Sequence, residues 1–205
     1  MSDAQGLLIT FDGPDGVGKT TQFELVAQAL RDNGHDVYTS HLLGGSPIGE
    51  TLRQVMFSDN PRPARTNLHL SLAIYYALFA ELDVKRQAGT IVLLDRSPLS
   101  LIAYQVYGDG LDETIGYQAC SDSLEALRPD MIIVYSAPSS VLQERRKDRS
   151  KTTDYFEQQS NDYHARTVEG YIAAVDRYDA TIVDADGSIA AVHTRTMDAL
   201  APLLV

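Results

Sequence analysis

Two hydrophobic patterns alternate along the chain. "GLLITFD" (Gly6–Asp12) is a short apolar run ending at glycines, as a parallel strand buried on both faces requires. "TTQFELVAQALRDNG" follows with helical spacing: Phe23, Val26, Ala27 and Leu30 share one face, and Gly34 stands at the stop. "HDVYTSHLL" reads as a second strand. "PIGETLRQVMFS" and "TNLHLSLAIYYALFAELDVKRQAG" read as helices, the latter closed by Gly89. Thr90–Asp95, Met131–Ala137 and Ala180–Ala185 predict the third, fourth and fifth strands. "LSLIAYQVY", "ETIGYQACSDSLEAL" and the closing "SIAAVHTRTMDALAPLL" are helical in pattern, and a long helical region after the fourth strand is interrupted near Ser150–Thr153. Five short apolar strands separated by helices predict an α/β fold. It is a three-layer arrangement with a five-stranded parallel sheet and helices on both faces, in one domain spanning residues 1–205. Right-handed crossovers then place a ligand at the carboxyl ends of the strands.

Composition narrows the partners. Apolar residues make up 44 % of 205, ordinary for a globular domain, and no stretch approaches a membrane span. The formal net charge is −11, which argues against nucleic acid as a partner because that needs a basic footprint. The N-terminus lacks the basic and apolar segments of a leader, and the single cysteine, Cys120, forms no internal disulfide; both point to the cytoplasm. The histidines have no metal-ligand spacing, so no zinc site is expected. One segment gathers positive charge: "RRKDRSK", Arg145–Lys151. By itself it reads first as a solvated helix end; a phosphate site elsewhere in the chain shifts the reading toward phosphate binding.

The chemistry begins at "FDGPDGVGKTTQ", Phe11–Gln22. Gly13, Gly16 and Gly18 let the backbone curl with its N–H groups inward, and the following helix adds free N–H groups and a positive dipole end. Lys19 would reach the terminal phosphates of a nucleotide, and the Thr20 hydroxyl would hold Mg²⁺. The motif follows an apolar strand and opens an amphipathic helix, the context a phosphate-binding loop needs. No Asn-Lys-x-Asp stretch is present to read guanine. At the end of the third strand, in "DRSPLSLIAYQ" (Asp95–Gln105), Asp95 is placed to hold Mg²⁺ or its water, and Arg96 to grip a phosphate bidentately; a strand-end salt bridge is the plainer alternative.

As a set, "FDGPDGVGKTTQ", "GGSPIGETLR", "DRSPLSLIAYQ" and "TDYFEQQSNDYHARTVEGY" resemble the thymidylate kinase family of P-loop nucleoside monophosphate kinases, in the right order over most of the chain. The resemblance implies a P-loop NTPase fold with a short Arg-rich lid at about residues 145–154. It implies ATP and Mg²⁺ as cofactors, transfer of the ATP γ-phosphoryl to a nucleoside monophosphate, dTMP by default, and a homodimer. It places Gly13, Asp15, Gly16, Val17, Gly18, Lys19, Thr20, Thr21 and Arg145 around ATP, with Thr20 and Asp95 toward the metal. Arg96 would clamp the acceptor phosphate, Asp15 would face the acceptor sugar hydroxyl, and Tyr104 would pack on the deoxyribose and base. Phe156 and Gln105 would also border the acceptor. The family draws a catalytic Arg from the loop or from the lid. The loop here has Pro14, Asp15, Gly16 and Val17 at its variable positions, so the resemblance assigns that role to the lid: Arg149 first, then Arg146 or Arg145.

The chain departs from the family on the acceptor side. His41, Leu42 and Leu43 stand where the family has Arg-Glu-Pro. The family's Phe-x-Ala-x-Arg is matched by Tyr75, Ala77 and Phe79, and Leu101 replaces a small or polar residue. These changes predict a more apolar base pocket. His41, His69 and Gln105 remain as donors. The alternatives to a dTMP kinase are a kinase for a modified or non-thymine nucleotide and a catalytically weak nucleotide-binding relative.

Overall fold

All five predicted strands form: β1 (Leu8–Asp12), β2 (Val37–His41), β3 (Ile91–Asp95), β4 (Met131–Ser136) and β5 (Thr181–Asp184). The computed structural model describes residues 5–147, 155–156 and 158–204. The helices are α1 (Lys19–Asp32), α2 (Pro47–Met56), α3 (Ala64–Gln87), α4 (Glu113–Leu127), α5 (Ser139–Lys147), α6 (Asn161–Tyr178) and α7 (Ile189–Leu200). Every described strand pairing is parallel, in the order β2-β3-β1-β4-β5. The sheet, helices and connectivity are those of the α/β P-loop NTPase fold.

Strand alternation divides the core into two. Leu8, Val92, Leu94 and Val134 point to one face, where they meet Leu78 and Leu82 of α3, Cys120 of α4 and Ala174 of α6. Ile9, Phe11, Leu93 and Ile133 point to the other, against Val26 and Leu30 of α1 and Val192 and Leu200 of α7. With both faces covered, the free edges of the sheet's chemistry are the carboxyl ends of its strands. Those ends carry Asp12, His41 and Asp95 on three adjacent strands, β1, β2 and β3.

The segment after β3 differs from the expected α-helix. Leu101–Gly108 is a π-helix, in which the Asp109 N–H reaches the Tyr104 carbonyl five residues back at 2.8 Å. Such wide turns are rare and concentrate at functional sites. Here the widened turn brings Ser100, Tyr104 and Gln105, at i, i+4 and i+5, to one cavity.

Candidate active site

The loop between β1 and α1 curls through three glycines with positive φ: Gly13 at 139°, Gly16 at 88° and Gly18 at 93°. A Cβ on Gly13 would lie 2.6 Å from the Tyr135 carbonyl oxygen, so no other residue fits there. Gly18 caps α1 without any side-chain acceptor, and the first turn has no acidic residue. The opening amides of α1 are thus left for a ligand, and their dipole favours an anion. Lys19 is buried and its ammonium pairs with the Asp95 carboxylate. Burial and then Arg96 push the Lys19 pKa below its ordinary value, while Asp95 resists them. Arg145 closes the loop from behind, donating to the carbonyls of Val17 at 3.1 Å and Ala185 at 3.2 Å.

Beside the cradle stands a second cationic group. Arg96 has φ of 77°, a left-handed backbone that a non-glycine residue holds only when its surroundings fix it. Its Nη1 donates to the Gly13 carbonyl at 2.9 Å and the Tyr171 hydroxyl at 2.7 Å, and its Nη2 to Asp15 Oδ1 at 2.7 Å. Tyr104 donates to Asp15 Oδ2 at 2.9 Å, and its ring lies 5.1 Å below the Arg96 guanidinium. Burial raises the Asp15 pKa, but Arg96, Tyr104 and Lys19 outweigh it and hold the carboxyl below its ordinary range. Asp15 is therefore held as an anion, bonded to Arg96 and within the field of Lys19.

One cavity of about 760 Å³, a size suited to small ligands, joins the cradle to this array. Asp15, Gly16, Gly18, Lys19, Thr20, Asp95, Arg96, Tyr75, Tyr104, Gln105 and Phe156 all line it. Gly13 and Val17 shape the loop and Thr21 lies in the first turn of α1, none of them lining the cavity, and Arg145 braces the loop from behind. Arg149 falls outside the described residues, as does the side chain of Arg146.

The acceptor wall departs from expectation by one helical turn. Ser71 and Tyr75 of α3 line the cavity; Phe79 sits behind Tyr75 in the core, ring centroids 6.5 Å apart. Leu101 is fully buried in the same core and does not line this cavity. The reason is that α3 buries one continuous stripe running over many turns, so its apolar pattern does not tell which turn meets the cavity. The structure also adds a cation to this wall. Arg53 lines the cavity from α2, stacked 4.3 Å over Phe57 and donating to the Leu43 carbonyl. Its signal was present, as the last residue of "GGSPIGETLR". His41 and Glu50 pair at 2.8 Å on the same wall.

No group of three His, Cys, Asp or Glu gathers among the described residues. A nucleotide-borne Mg²⁺ does not need one, because it keeps waters and phosphate oxygens and takes one or two protein ligands. Thr20 and Asp95 share the cavity wall, an oxygen pair of the kind that ion uses. Among the described residues no helix is long and apolar enough to cross a membrane.

Comparison with known proteins agrees with this geometry. The family model described as thymidylate kinase matches residues 11–196. The thymidylate kinase of Thermomicrobium roseum is 35 % identical, with 82 % of this chain and 81 % of that protein covered. That of Pseudomonas fluorescens is 34 % identical, covering 98 % and 97 %, and that of Geotalea uraniireducens is 34 % identical, covering 89 % and 90 %. Matched by that family model over most of its length and by these relatives at about a third identity, the chain belongs to the thymidylate kinase family.

Proposed function

We propose that this protein is an ATP-dependent thymidylate kinase, moving the γ-phosphoryl of ATP to dTMP to give dTDP and ADP. The observation that carries the reading is that Lys19, at the cradle, and Arg96, beside it, line one continuous cavity. Two phosphate-binding cations in one space fit two phosphorylated substrates brought end to end. Phosphoryl transfer asks chiefly for that alignment and for positive charge around the migrating group.

In this reading the open amides of α1 and Lys19 hold the β and γ phosphates. Displacing Asp95 from Lys19 releases a carboxylate that, with Thr20, would hold Mg²⁺; the ion supplies charge neutralisation at the phosphates. Arg96 clamps the acceptor phosphate. Asp15, ionised between Arg96 and Lys19, faces the sugar hydroxyl, and the Tyr104 ring packs against the deoxyribose. Phe156 packs edge-on to Tyr104 with centroids 5.8 Å apart and closes that side. Ser71, Tyr75 and Gln105 border the base, and Arg53 adds a cation on the acceptor side. Arg149 is assigned the catalytic contact to the migrating phosphoryl. A homodimer and a cytoplasmic location belong to the same proposal. The exposed Tyr76 and Val84 on the outer side of α3 suit a helix that packs against a second copy.

The test is ADP release by the purified protein across a panel of nucleoside monophosphates. ADP formed with dTMP in preference to the others is the expected result. No ADP with dTMP, alongside tight ATP binding, overturns it. The relatives lend no support to a specialised acceptor or to a silent nucleotide binder.

A further inference from the structure

Asp12 ends β1 at the floor of the site, fully buried. Its carboxylate accepts from the Gly13 N–H at 2.9 Å, the Ser97 N–H at 2.9 Å, the Ser97 hydroxyl at 2.8 Å and the Tyr171 hydroxyl at 2.6 Å. The Ser100 hydroxyl lies 3.0 Å from both oxygens, and Arg96 Nη1 is at 3.4 Å. A carboxylate so fully occupied has no lone pair left for a substrate proton and no path to solvent. Its surroundings explain its presence in another way.

Every one of these donors belongs to the loop that carries Arg96, to the cradle, or to α6. The Ser97 N–H fixes the peptide just after Arg96, and the Arg96 N–H donates to the Phe11 carbonyl at 2.8 Å just before it. Between these two bonds the Arg96 backbone keeps its φ of 77°. Tyr171 then links the carboxylate to the guanidinium. Its hydroxyl donates to Asp12 and accepts from Arg96 Nη1 at 2.7 Å, so the proton direction is set along the chain Arg96 to Tyr171 to Asp12. Nη1 is spent on protein acceptors and Nη2 reaches Asp15, while Nε makes no hydrogen bond to the described residues. What remains for a ligand is the side edge of the guanidinium, Nε with the second hydrogen of Nη2. That edge matches two phosphate oxygens.

We propose that Asp12 and Tyr171 are positioning residues for the acceptor clamp, holding the Arg96 backbone and guanidinium so that the Nε and Nη2 edge is presented to the acceptor phosphate. The inference rests on the reading of Arg96 as that clamp. It makes α6 part of acceptor binding although Tyr171 itself does not line the cavity.

The experiment is steady-state kinetics and melting of the full chain as wild type, Tyr171→Phe, Asp12→Asn, Arg96→Lys and Tyr171→Phe/Arg96→Lys. Tyr171→Phe removes one oxygen atom, so it keeps the test alive if Asp12→Asn does not fold. The expected result is a dTMP KM raised about tenfold in Tyr171→Phe, with the ATP KM within about twofold and little change in Tm. In the Arg96→Lys background, which lacks the guanidinium fork, the same change has almost no further effect. Three results overturn the inference: unchanged constants in Tyr171→Phe; dTMP and ATP KM rising together with a lower Tm; or an undiminished Tyr171→Phe effect on Arg96→Lys. A wild type that is active on dTMP but gives one of these results refutes the positioning role alone. A wild type inert toward dTMP refutes the clamp reading as well, and the inference with it.

Discussion

Lys19 and Asp15 show how far a residue's charge depends on its neighbours. Lys19 is held by Asp95, whose side chain is 24 % exposed and takes up water when left alone. Lys19→Ala is therefore expected to keep the fold while lowering kcat by roughly a hundredfold or more, the scale of removing one preorganised charge at a reacting phosphate. Circular dichroism and ADP release on the same sample check both halves. Asp15 gives a pH effect with a definite sign. Burial opposes its charge, but Arg96, Tyr104 and Lys19 leave its folded pKa below the unfolded value of about 4. The folded protein thus binds fewer protons here than the unfolded chain in acid. The stability gained from Asp15 is complete above about pH 5 and is lost as pH falls through the folded pKa. Asp15→Asn is expected to flatten the decline of Tm below about pH 5, with a constant offset from wild type at neutral pH.

Packing of α6 on the π-helix sets Tyr171 beside Arg96. Gly170 makes that contact possible: a Cβ there would lie 2.7 Å from the Ala103 Cα and 3.0 Å from the Tyr107 Cβ. Neither atom is the end of a flexible side chain, so the helices must separate. Gly170→Ala is expected to lower stability by about 1–3 kcal/mol, the usual cost of overpacking, and to weaken dTMP binding because Tyr171 is the next residue. Denaturant melts and dTMP titration measure the two effects. The existence of both elements was legible, since "LIAYQ" is an apolar run and the α6 segment has a clear helical stripe. The π-turn was not, because the width of a turn depends on what it packs against. On α3 the sequence named Tyr75, which lines the cavity, together with Phe79, which packs behind it. With Leu68, Ser71, Ile74, Tyr75, Leu78, Phe79 and Leu82 all buried, several turns compete for the site in sequence and only one, bearing Ser71 and Tyr75, reaches it.

At the scale of the whole molecule, Arg86 fastens the end of the sheet opposite the site. It donates to the Gly6 carbonyl at 3.2 Å, the Arg128 carbonyl at 3.0 Å and Asp130 Oδ2 at 2.9 Å, joining α3 to the entries of β1 and β4. Asp130 in turn accepts from the Leu8 N–H at 2.7 Å. The Arg86 side chain is 7 % exposed while that of Asp130 is 32 % exposed, so its loss leaves two carbonyls without this donor and a carboxylate that water still reaches. Arg86→Ala is expected to destabilise by about 1–3 kcal/mol, read as a lower urea midpoint, with the KM values of the surviving folded enzyme unchanged. The site is at the other end of the strands and does not feel the change directly.

The curled loop between β1 and α1 was legible in the sequence alone, because its geometry is local. Glycine spacing and a helix start suffice to leave contiguous backbone amides open there. The parallel α/β class was likewise legible, since strand and helix periods are written in single segments. The rest of the cavity wall was legible only in part, because its groups come from β2, α2, α3, the turn after β3 and the π-helix and meet only through packing: Arg96, Tyr75, Tyr104 and Gln105 were named, Arg53 and Ser71 were not. Asp12 reads in sequence as one more residue before a glycine. Tertiary structure alone makes it the buried hub to which Ser97, Ser100, Tyr171 and Arg96 converge.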